Sequence, residues 1–489
     1  MINSIQRFGV KGIKDLEKVV DLFIQNPTDI SGFVLGMQEQ ALKLALDIIA
    51  ETFESYDDEL RQSQKRKQKW QIVRRDTKSL ITSIGEISFK KTLFKNKETG
   101  KSNYLIDQVL GLDSHERLTE DAQVKMLEEA VESSYRKGGE RTSILTSVSK
   151  QTVKNKIHNL KFPKDYEPLA EKKKVECLYI DADEDHVSLQ FHESKGDICQ
   201  TTTGKTNSQI AKLVYAYEGV KPEAPKSKRN KLIEPRYFSG VYKGNENKEL
   251  WCEVYAYLDS RYDLEYVKEI YLNSDGGGWI DTKGAYLGKI THVLDEFHIS
   301  KYILRATSHL LDSTADARDE MYKAFRSGSK KKLKEVERKI LNATDNEVIA
   351  KRVKESIKYL SSNMKAIELR LNKEEGVVGC SAEGHVSHVL SSRMSSRPLG
   401  WSIRGVEQMS RLRAYYWNKE DMLELVRYQK QELPKVAGCE EIILSHSSAI
   451  ESYEKDQKIL RKYFDATNKN LVGNQASKKA WFKSHIWDL

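Results

Sequence analysis

The sequence predicts a mixed α/β protein in which a helical segment interrupts a sheet-containing core, and a helical region with a small β unit precedes that core. Three observations predict this fold class. From Val175 onward, short apolar runs typical of strands alternate with helical patterns. Residues 309–375 keep a helical pattern almost throughout, and no proline occurs between residues 236 and 397. Residues 79–107 carry β-branched and aromatic residues in partial alternation, which favours strands.

The composition indicates a folded protein with a charged surface. The length of 489 residues predicts about two to four domains. Hydrophobic residues make up 39% and charged residues 31%, which excludes a chain that is disordered throughout. The net charge of +9 is modest, but four basic runs together favour a polyanionic partner over four unrelated solvated faces. These runs are 61–69, 172–174, 226–231 and 330–334.

Cysteine usage and hydropathy point to an intracellular protein. The five cysteines form no CxxC pair, so no thiol zinc site is predicted, and the sparse set suits a reducing compartment. No run reaches the roughly 18 to 20 apolar residues of a membrane span, and the amino terminus lacks the apolar run of a signal peptide. We therefore expect a soluble, cytoplasmic protein.

The amino-terminal region is predicted to be helical and then to change to strands. Leu42, Leu46, Ile49 and Phe53 recur on one helical face, which favours a packing or self-association helix. The basic run 61–69 ends this helix or links it onward. The β-rich segment is broken at Gly85 and again at residues 99–100, which predicts a small antiparallel unit.

Residues 121–160 return to a helical pattern that is interrupted at residues 138–139. Ser149 can cap a second helix, because its hydroxyl can accept a hydrogen bond from a free backbone N–H group. A short helix, a turn and a polar, basic second helix suit a helix-turn-helix that contacts DNA, but an ordinary helical hairpin is an equal alternative. The residues expected to face DNA from this second helix are Lys150, Gln151, Lys154 and Asn155.

The core is predicted as a series of short elements. They are two strands around a tight turn (175–193), a third strand (212–220), a loop (221–247), a helix (249–262), a strand entering a glycine turn (267–280), a strand leading into a helix (291–303) and a late helix (403–432).

Acidic residues follow two of the apolar runs of the core. Asp181 is predicted to end a strand just before a turn, and Asp183 would share its face if the strand continued. Asp275 follows another apolar run and precedes three glycines, which allow the backbone to pass close to a ligand. Carboxylates fixed at strand ends can bind divalent metal ions, whereas acids in ordinary turns are the alternative for each of these residues.

A third acid, Glu383, is predicted to project from the first turn of a helix that begins near Ser381. His385 and His388 lie one turn apart on that helix and are interpreted as phosphate or structural contacts rather than as metal ligands. Arginines then alternate with aromatic residues, which suits a DNA backbone and an unstacked base as well as a solvated helix over a small core. The arginines proposed to contact DNA are Arg393, Arg397 and Arg404.

With these residues in view, the chain resembles the Lre-type insertion-sequence (ISLre-like) transposases, which are similar to the Mutator-like group of DDE transposases. The resemblance runs through nearly the whole chain. Its matching segments are WQIVRRDTKSLITSIGEISFKKTLFK (70–95), YLIDQVLGL (104–112), LYIDADEDHVSLQ (178–190), IYLNSDGGGWI (270–280), LDEFHISKYI (294–303) and GCSAEGHVSHVLSSRMSSRPLGWS (379–402).

The resemblance implies an RNase H-like core whose two Asp and one Glu bind Mg²⁺ or Mn²⁺, with two ions expected at each active site. It assigns these catalytic, metal-binding positions to Asp181, Asp275 and Glu383, and Asp295 and His298 fill a secondary pattern of the related group. Asp183, which strand alternation would place on the same face as Asp181, is a further secondary candidate. The glycine run after Asp275 is longer than the related group shows, and the segment after Glu383 departs from its Asn-rich pattern.

The same resemblance implies a bacterial, nucleoid-associated enzyme that cuts and joins DNA. Its partners would be double-stranded DNA, as terminal inverted repeats and target, and further copies of the chain. Two alternatives stay open: a nuclease or resolvase of the same fold without strand transfer, and a retired transposase that only binds DNA. The expected organisation is 1–70 helical, 71–120 β unit, 121–172 helix-turn-helix-like, 173–304 first part of the core, 305–378 helical insertion, 379–432 last part of the core, and 433–489 basic carboxyl-terminal region.

Overall fold

The computed structural model describes residues 3–164, 166–190, 207–280, 290–397 and 399–430. The expected carboxyl-terminal region 433–489 therefore lies outside the described residues. The chain forms two compact units, of which the first includes residues 3–123 and 142–147 and the second residues 124–141 and 148–429, as far as they are described. Among the described residues, no helix has the length and apolar character needed to cross a membrane.

The first unit joins helices to a three-stranded sheet. Its helices are α1 (Asn3–Arg7), α2 (Ile13–Gln25), α3 (Ile30–Gln62), α4 (Gln64–Lys69) and α5 (Leu105–Val109), and its strands are β1 (Trp70–Ile81), β2 (Glu86–Asn96) and β3 (Ser102–Tyr104). The strands pair antiparallel in the order β1-β2-β3, which confirms the small antiparallel unit, although β1 begins earlier than predicted.

The predicted apolar stripe of α3 packs onto this sheet. Leu46, Ile49 and Phe53 lie against the buried residues Leu80 and Phe89 of β1 and β2, so the stripe forms part of a core. The basic run that follows forms the end of α3 and then α4. Within that run Arg66 is buried and donates to the carbonyl of Leu60 (3.0 Å), so one of its charges stabilises the helix-to-strand connection.

The second unit is built around a five-stranded mixed sheet. Its strands are β4 (Cys177–Ser188), β5 (Ser208–Tyr217), β8 (Arg236–Gly240), β9 (Glu269–Ser274) and β10 (Ile290–Leu294), and a separate pair consists of β6 (Gly219–Pro222) and β7 (Asn230–Ile233). The sheet order is β10-β9-β4-β5-β8. Strands β4, β5 and β8 form an antiparallel meander, while β9 and β10 run parallel to β4.

Two sequence interpretations of this sheet are wrong. Residues 177–188 form one continuous strand rather than two strands around a turn, because the acids that suggested a turn occupy alternate positions of an extended segment. Residues 221–247 contain β7 and the edge strand β8 rather than only loop. The short β8 follows Pro235 in a polar segment, and its pairing with β5 supplies the stability that its own pattern does not indicate.

The remaining helices belong mainly to the second unit. After α6 (Glu120–Glu132), they are α7 (Tyr135–Glu140), α8 (Lys150–His158), α9 (Asn247–Arg261), α10 (Glu296–Thr307), α11 (Thr314–Arg326), α12 (Lys330–Asn342), α13 (Glu347–Ser362), α14 (Met364–Asn372), α15 (Ala382–Val386), α16 (Ser392–Met394), α17 (Ile403–Trp417) and α18 (Met422–Tyr428). A π-helical turn, Ser387–Ser391, joins α15 to α16.

Two apolar clusters form the core of the second unit. One packs α9, through Trp251 and Leu258, against the sheet residues Ile180 and Leu272. The other joins α10 to the helices α11–α14, which confirms a helical segment between β10 and α15. The predicted helix over 249–262 and the predicted strand leading into a helix over 291–303 are also confirmed.

Candidate metal-binding active site

Three aspartates lie at equivalent positions along three neighbouring parallel strands. The register pairs Ala182 of β4 with Ser274 of β9, and Ser274 with Leu294 of β10. In each case the next residue along the chain is an aspartate: Asp183 continues β4, whereas Asp275 and Asp295 directly follow β9 and β10. Neighbouring strands lie about 4.8 Å apart, so the three positions form a short row across the sheet.

The charges of this row influence one another. Burial raises the pKa of Asp183 to about 6, and the negative charge of Asp275 adds to the increase. A hydrogen bond from the backbone N–H of Glu184 (2.8 Å) and the nearby His298 act in the opposite direction. The Asp183 carboxyl is therefore partly desolvated and close to a like charge, as carboxylates of functional sites often are.

His298 completes this group. Its Nδ1 lies 3.3 Å from Oδ2 of Asp295, and this hydrogen bond raises the pKa of His298, while burial lowers it. The charges of Asp275 and Asp183 also raise it. All three aspartates therefore act on one imidazole, which places Asp295 and His298, the secondary pair of the sequence analysis, in the same group as Asp183 and Asp275.

The turn after Asp275 is fixed by the helical segment. The Asp275 carboxylate accepts a hydrogen bond from the backbone N–H of Gly277 (2.8 Å), and its carbonyl accepts one from the Tyr359 hydroxyl of α13. Gly276 has a φ of +75°, and a Cβ at this position would lie 3.2 Å from Oδ1 of Asn363. The glycine is therefore favoured by both the backbone conformation and the close approach of Asn363, the residue that follows α13.

Asp181 has a different environment. It lies within β4 rather than at its end, and its side chain is fully buried. Its carboxylate accepts hydrogen bonds from Tyr215 (2.7 Å), Tyr217 (3.0 Å), Asn273 (2.7 Å) and the backbone N–H of Ser381 (3.1 Å). Burial raises its pKa, whereas these donors lower it. Asp181 is thus not a solvent-accessible ligand in this structure. Asp183, rather than Asp181, occupies the position beside Asp275 that was predicted for the first metal-binding acid.

The partners of Asp181 were missed by the sequence analysis. Tyr215 stands directly opposite Asp181 in β5, and Asn273 stands directly opposite it in β9. Alternation along the segments KLVYAY and IYLNSD would have put Tyr215, Tyr217 and Asn273 on one face once the strand pairing was known. Arg370 of α14 in turn donates to the side chain of Asn273 and to the carbonyl of Leu294 (3.2 Å).

Glu383 is exposed in the first turn of α15, as the sequence predicts. Across residues 3–164, 166–190, 207–280, 290–397 and 399–430, no three His, Cys, Asp or Glu side chains are grouped so that they could hold a metal ion. His385, on the same helix, bonds through Nδ1 to the Tyr237 hydroxyl (2.8 Å), and burial lowers its pKa to about 4. His385 is therefore a neutral, structural histidine.

The residues proposed to contact DNA are exposed, except for Arg393. Lys150, Gln151, Lys154 and Asn155 are all exposed on α8, and the Ser149 hydroxyl accepts from the backbone N–H of Thr152 (3.2 Å), which confirms the predicted cap. Gly139 of α7 permits the tight approach of this helix pair, because a Cβ there would lie 2.3 Å from the carbonyl oxygen of Val148. Arg397 and Arg404 are exposed as well, and Arg404 donates to the carbonyl of His158 at the end of α8 (2.7 Å).

Arg393 corrects the prediction made for it. Its side chain is only 8% exposed, and its Nε donates to the carbonyl of Ala130 (3.1 Å). The guanidinium lies 4.8 Å from the centre of the Trp401 ring, and burial lowers its pKa to about 10. Arg393 is thus part of the packing between α6 and the segment after α15, and it is not available to DNA.

The chain is similar to proteins of one bacterial family. The family model described as "Uncharacterised protein family (UPF0236)" matches residues 24–432. A UPF0236 protein of Caldanaerobacter subterraneus subsp. tengcongensis, whose name joins four loci, is 33% identical over 420 residues, 85% of each chain. A second from that organism, whose name joins eleven loci, is 32% identical over 86% of this chain and 85% of its own.

More distant similarities reach other organisms. A UPF0236 protein named for the vanSb 3′ region of Streptococcus gallolyticus is 25% identical over 85% of this chain and 88% of its own. A chain of the Drosophila P element transposase strand transfer complex aligns with 64% of this chain and 80% of its own, at 10% identity and a TM-score of 0.20. A TM-score this low does not establish a common fold.

Proposed function

The chain belongs to the uncharacterised protein family UPF0236, and we propose that it is a DDE-type transposase. In this proposal it binds the ends of an insertion sequence, cuts DNA strands there and joins them to target DNA. The observation that carries the proposal is the row of Asp183, Asp275 and Asp295 across three adjacent parallel strands, with the pKa of Asp183 raised by burial and by the charge of Asp275.

The residues of the row suit a divalent cation. Asp183 and Asp275 offer hard carboxylate oxygens, which Mg²⁺ and Mn²⁺ prefer. Burial, and to a lesser extent the charge of Asp275, raise the pKa of Asp183, and a bound cation relieves an electrostatic cost of this kind. When bound, such ions polarise a phosphate and make a water or a 3′-hydroxyl more nucleophilic.

The protein side chains would have distinct tasks at this site. Asp183 and Asp275 would hold the ions, with Glu383 as the third carboxylate from α15. The hydrogen bond from Nδ1 of His298 to Asp295 orients the ring, so that Nε2 of the protonated imidazolium could donate to a phosphate oxygen. The glycine turn after Asp275 would let a DNA backbone approach without a side chain in the way. In this assignment Asp183 replaces Asp181, because Asp181 is buried and fully engaged.

The sheet topology supports an RNase H-like core. Strands β4, β5 and β8 form an antiparallel meander. On the other side of β4 the sheet continues with β9 and then β10, which both run parallel to β4. The proposed ligands Asp183 and Asp275 come from the first and fourth of these strands, and a helical segment separates the fifth strand from Glu383. The helical segment ahead of Glu383 agrees with the insertion that the resemblance to DDE transposases implies. The first acid that the resemblance implies is Asp181, and the proposal puts Asp183 in its place.

A DNA partner is supported by the exposed basic surface of the second unit. Lys150 and Lys154 on α8, together with Arg404 at its end, would contact phosphates of the element ends. Phosphate contacts would supply most of the affinity and make it dependent on salt. Because two element ends must be joined in one reaction, we propose that the active form contains at least two copies of the chain.

The names of the relatives add independent support. One UPF0236 protein of Caldanaerobacter is named for eleven loci and another for four. Repetition of one protein at many loci of a genome is expected of a mobile element and is unusual for a housekeeping enzyme. This multiplicity favours transposition over the alternative of a cellular resolvase.

The proposal is tested with the purified full-length chain and a supercoiled plasmid that carries its gene with the flanking DNA. In Mg²⁺ or Mn²⁺ we expect nicks at the two element ends and, by sequencing, junctions between those ends and new DNA. Asp183→Asn and Asp275→Asn should each lower cleavage by a factor of at least about 100, because each removes a charged ligand. Asp312→Asn, an exposed acid outside the row, is the matched control.

Three other outcomes are informative. End-specific cleavage without new junctions would identify the nuclease or resolvase alternative. DNA binding that is unchanged in chelator, without any cleavage, would identify a regulator. Cleavage at the normal rate by Asp183→Asn and Asp275→Asn would remove the basis of the proposal.

A further inference from the structure

Strand β4 carries three aspartates on one face. The first and the third form hydrogen bonds with the segment that bears Glu383, whereas the middle one does not. Asp181, Asp183 and Asp185 occupy alternate positions of the strand. Asp181 accepts from the backbone N–H of Ser381, which precedes α15. Asp185 accepts from the hydroxyl of Ser395, which follows α16, through both of its oxygens (2.8 and 2.9 Å). The two flanking acids thus bind the two ends of one helical segment.

We propose that Asp181 and Asp185 are positioning residues that clasp residues 381–395 onto β4 and so fix Glu383 relative to Asp183. The inference rests on the proposed function for the role of Glu383. The clasp itself, two buried carboxylates that bind the two ends of one segment, is independent of any reaction.

The clasp at Asp181 is part of a larger network. The Tyr215 hydroxyl lies 2.7 Å from Asp181 and 2.8 Å from the Ser381 hydroxyl, so it bridges the strand and the segment. Asn273 connects Asp181 to Arg370, which also donates to the carbonyl of Val378, just before the segment. Strands β4, β5 and β9 therefore all contribute to the position of Ser381.

The clasp at Asp185 is reinforced by main-chain bonds. After Ser395, the chain returns to the end of β4, where Trp401 N–H donates to the carbonyl of Ser188 (2.9 Å) and Gln190 N–H donates to the carbonyl of Trp401 (2.9 Å). The Trp401 indole N–H bonds the carbonyl of Met394 (2.9 Å). This end of the segment is thus also held on the same strand that carries Asp183.

The free-energy cost of burying these two carboxylates indicates that they do more than fill space in the core. Asp181 is 0% and Asp185 8% exposed. Burying a carboxylate is costly unless donors surround it, and apolar residues of similar size would pack at lower cost. What apolar residues would lack is the directional attachment to Ser381 and Ser395. Between these attachments lies a π-helical turn, Ser387–Ser391, a feature that is often found at functional sites.

Amide hydrogen exchange of the full-length protein tests the clasp without any reaction. In Ser395→Ala we expect exchange of residues 391–396 to become at least about tenfold faster, because the bond to Asp185 is lost. Asp181→Asn, which puts an amide where donors converge, should accelerate exchange of residues 380–386. Ser396→Ala is the matched control, since the Ser396 hydroxyl bonds within the segment to the Ser392 carbonyl and not to β4. Unchanged exchange in both test variants would overturn the clasp.

Cleavage kinetics test the positioning role. Ser395→Ala and Asp181→Asn should each lower kcat by roughly 10- to 100-fold and leave KM for DNA unchanged. In a Glu383→Gln background the same substitutions should lower kcat no further, because their effect acts through Glu383. Additive losses would show a general structural role and overturn the positioning role.

The two hypotheses fail separately. Normal cleavage by Asp183→Asn would remove the proposed function while the exchange result still decides the clasp. Faster exchange together with full activity would keep the proposed function and overturn the positioning role. Should Asp181→Asn fail to fold, Ser395→Ala carries both measurements, since it removes a single hydroxyl that is only partly buried.

Discussion

Asp183 and Asp275 stand one residue beyond the last register pair of β4 and β9, in which Ala182 lies opposite Ser274. Asp183 is in the middle of its strand, whereas Asp275 begins the glycine turn after its strand. The two carboxyl groups are close enough to interact electrostatically. Burial raises the pKa of Asp183, and the charge of Asp275 raises it further. This relationship between a rigid strand position and a turn position is the structural basis of the proposed site.

Asp183→Asn is expected to stabilise the protein while it abolishes cleavage. The pKa of this carboxyl rises from 3.8 to about 6 on folding, so its ionised form disfavours the folded state. The variant should gain about 1 to 2 kcal/mol above pH 6, after allowance for partial exposure. The gain should shrink as the pH falls from 6 and vanish below about pH 4, where the carboxyl is protonated in both states.

Urea denaturation at several pH values measures this effect, with Asp312→Asn as the control. A stability difference that grows toward low pH would contradict the prediction, because it would mean that the Asp183 carboxylate is stabilised by its surroundings.

Asp181→Ala should have the opposite consequence for stability. It leaves the hydroxyls of Tyr215 and Tyr217 and the amide of Asn273 without their acceptor in a buried region. Unsatisfied buried donors cost about 1–3 kcal/mol each, and partial rearrangement reduces the sum, so we expect a loss of roughly 3 kcal/mol. Asp183→Ala, two residues away on the same face, is the comparison and should show no loss. Equal effects of the two variants would mean that Asp181 is not the centre of a network.

These residues also show how far the sequence alone could lead. Alternation, apolar runs and the glycine turn predict an α/β core with acids on its strands, and Ser149 predicts the cap of α8. Whether Asp181 or Asp183 is free depends on partners that lie 34, 36, 92 and 200 residues away along the chain. Local pattern contains no information about such partners, so both acids of IDAD were equivalent until the strand pairing was known.

Arg393 shows the same limit of sequence-based prediction for a basic residue. Its neighbours Arg397 and Arg404 are exposed, whereas Arg393 is buried against Trp401. A run of arginines predicts a charged surface, but the helical phase of each residue against distant elements decides which guanidinium reaches solvent. Long side chains can also stabilise a fold through carbonyl contacts, as Arg393 does with Ala130.

The exposed lysines of α8 should govern the salt dependence of DNA binding. Lys150→Ala and Lys154→Ala should each weaken binding for all sequences and reduce the slope of log affinity against log salt by about 1. Lys268→Ala is the control, because Lys268 is an exposed lysine that already pairs with Glu176 (2.7 Å). Fluorescence anisotropy with short duplexes between about 50 and 200 mM salt measures the slopes. Unchanged slopes in both α8 variants would favour the helical-hairpin alternative for residues 121–160.

Gly276→Ala is expected to damage the site through the backbone. The residue has a φ of +75°, which costs an L-residue roughly 1–2 kcal/mol, and the new Cβ would lie 3.2 Å from Oδ1 of Asn363. Relief of this strain would shift the turn that carries Asp275, so cleavage should fall by roughly 100-fold while DNA affinity is retained. Gly9→Ala is the control, because Gly9 lies outside the proposed site, has no positive φ, and its Cβ would meet nothing within 4 Å. If the two alanine variants cleave DNA equally well, the glycine turn does not position Asp275 for catalysis.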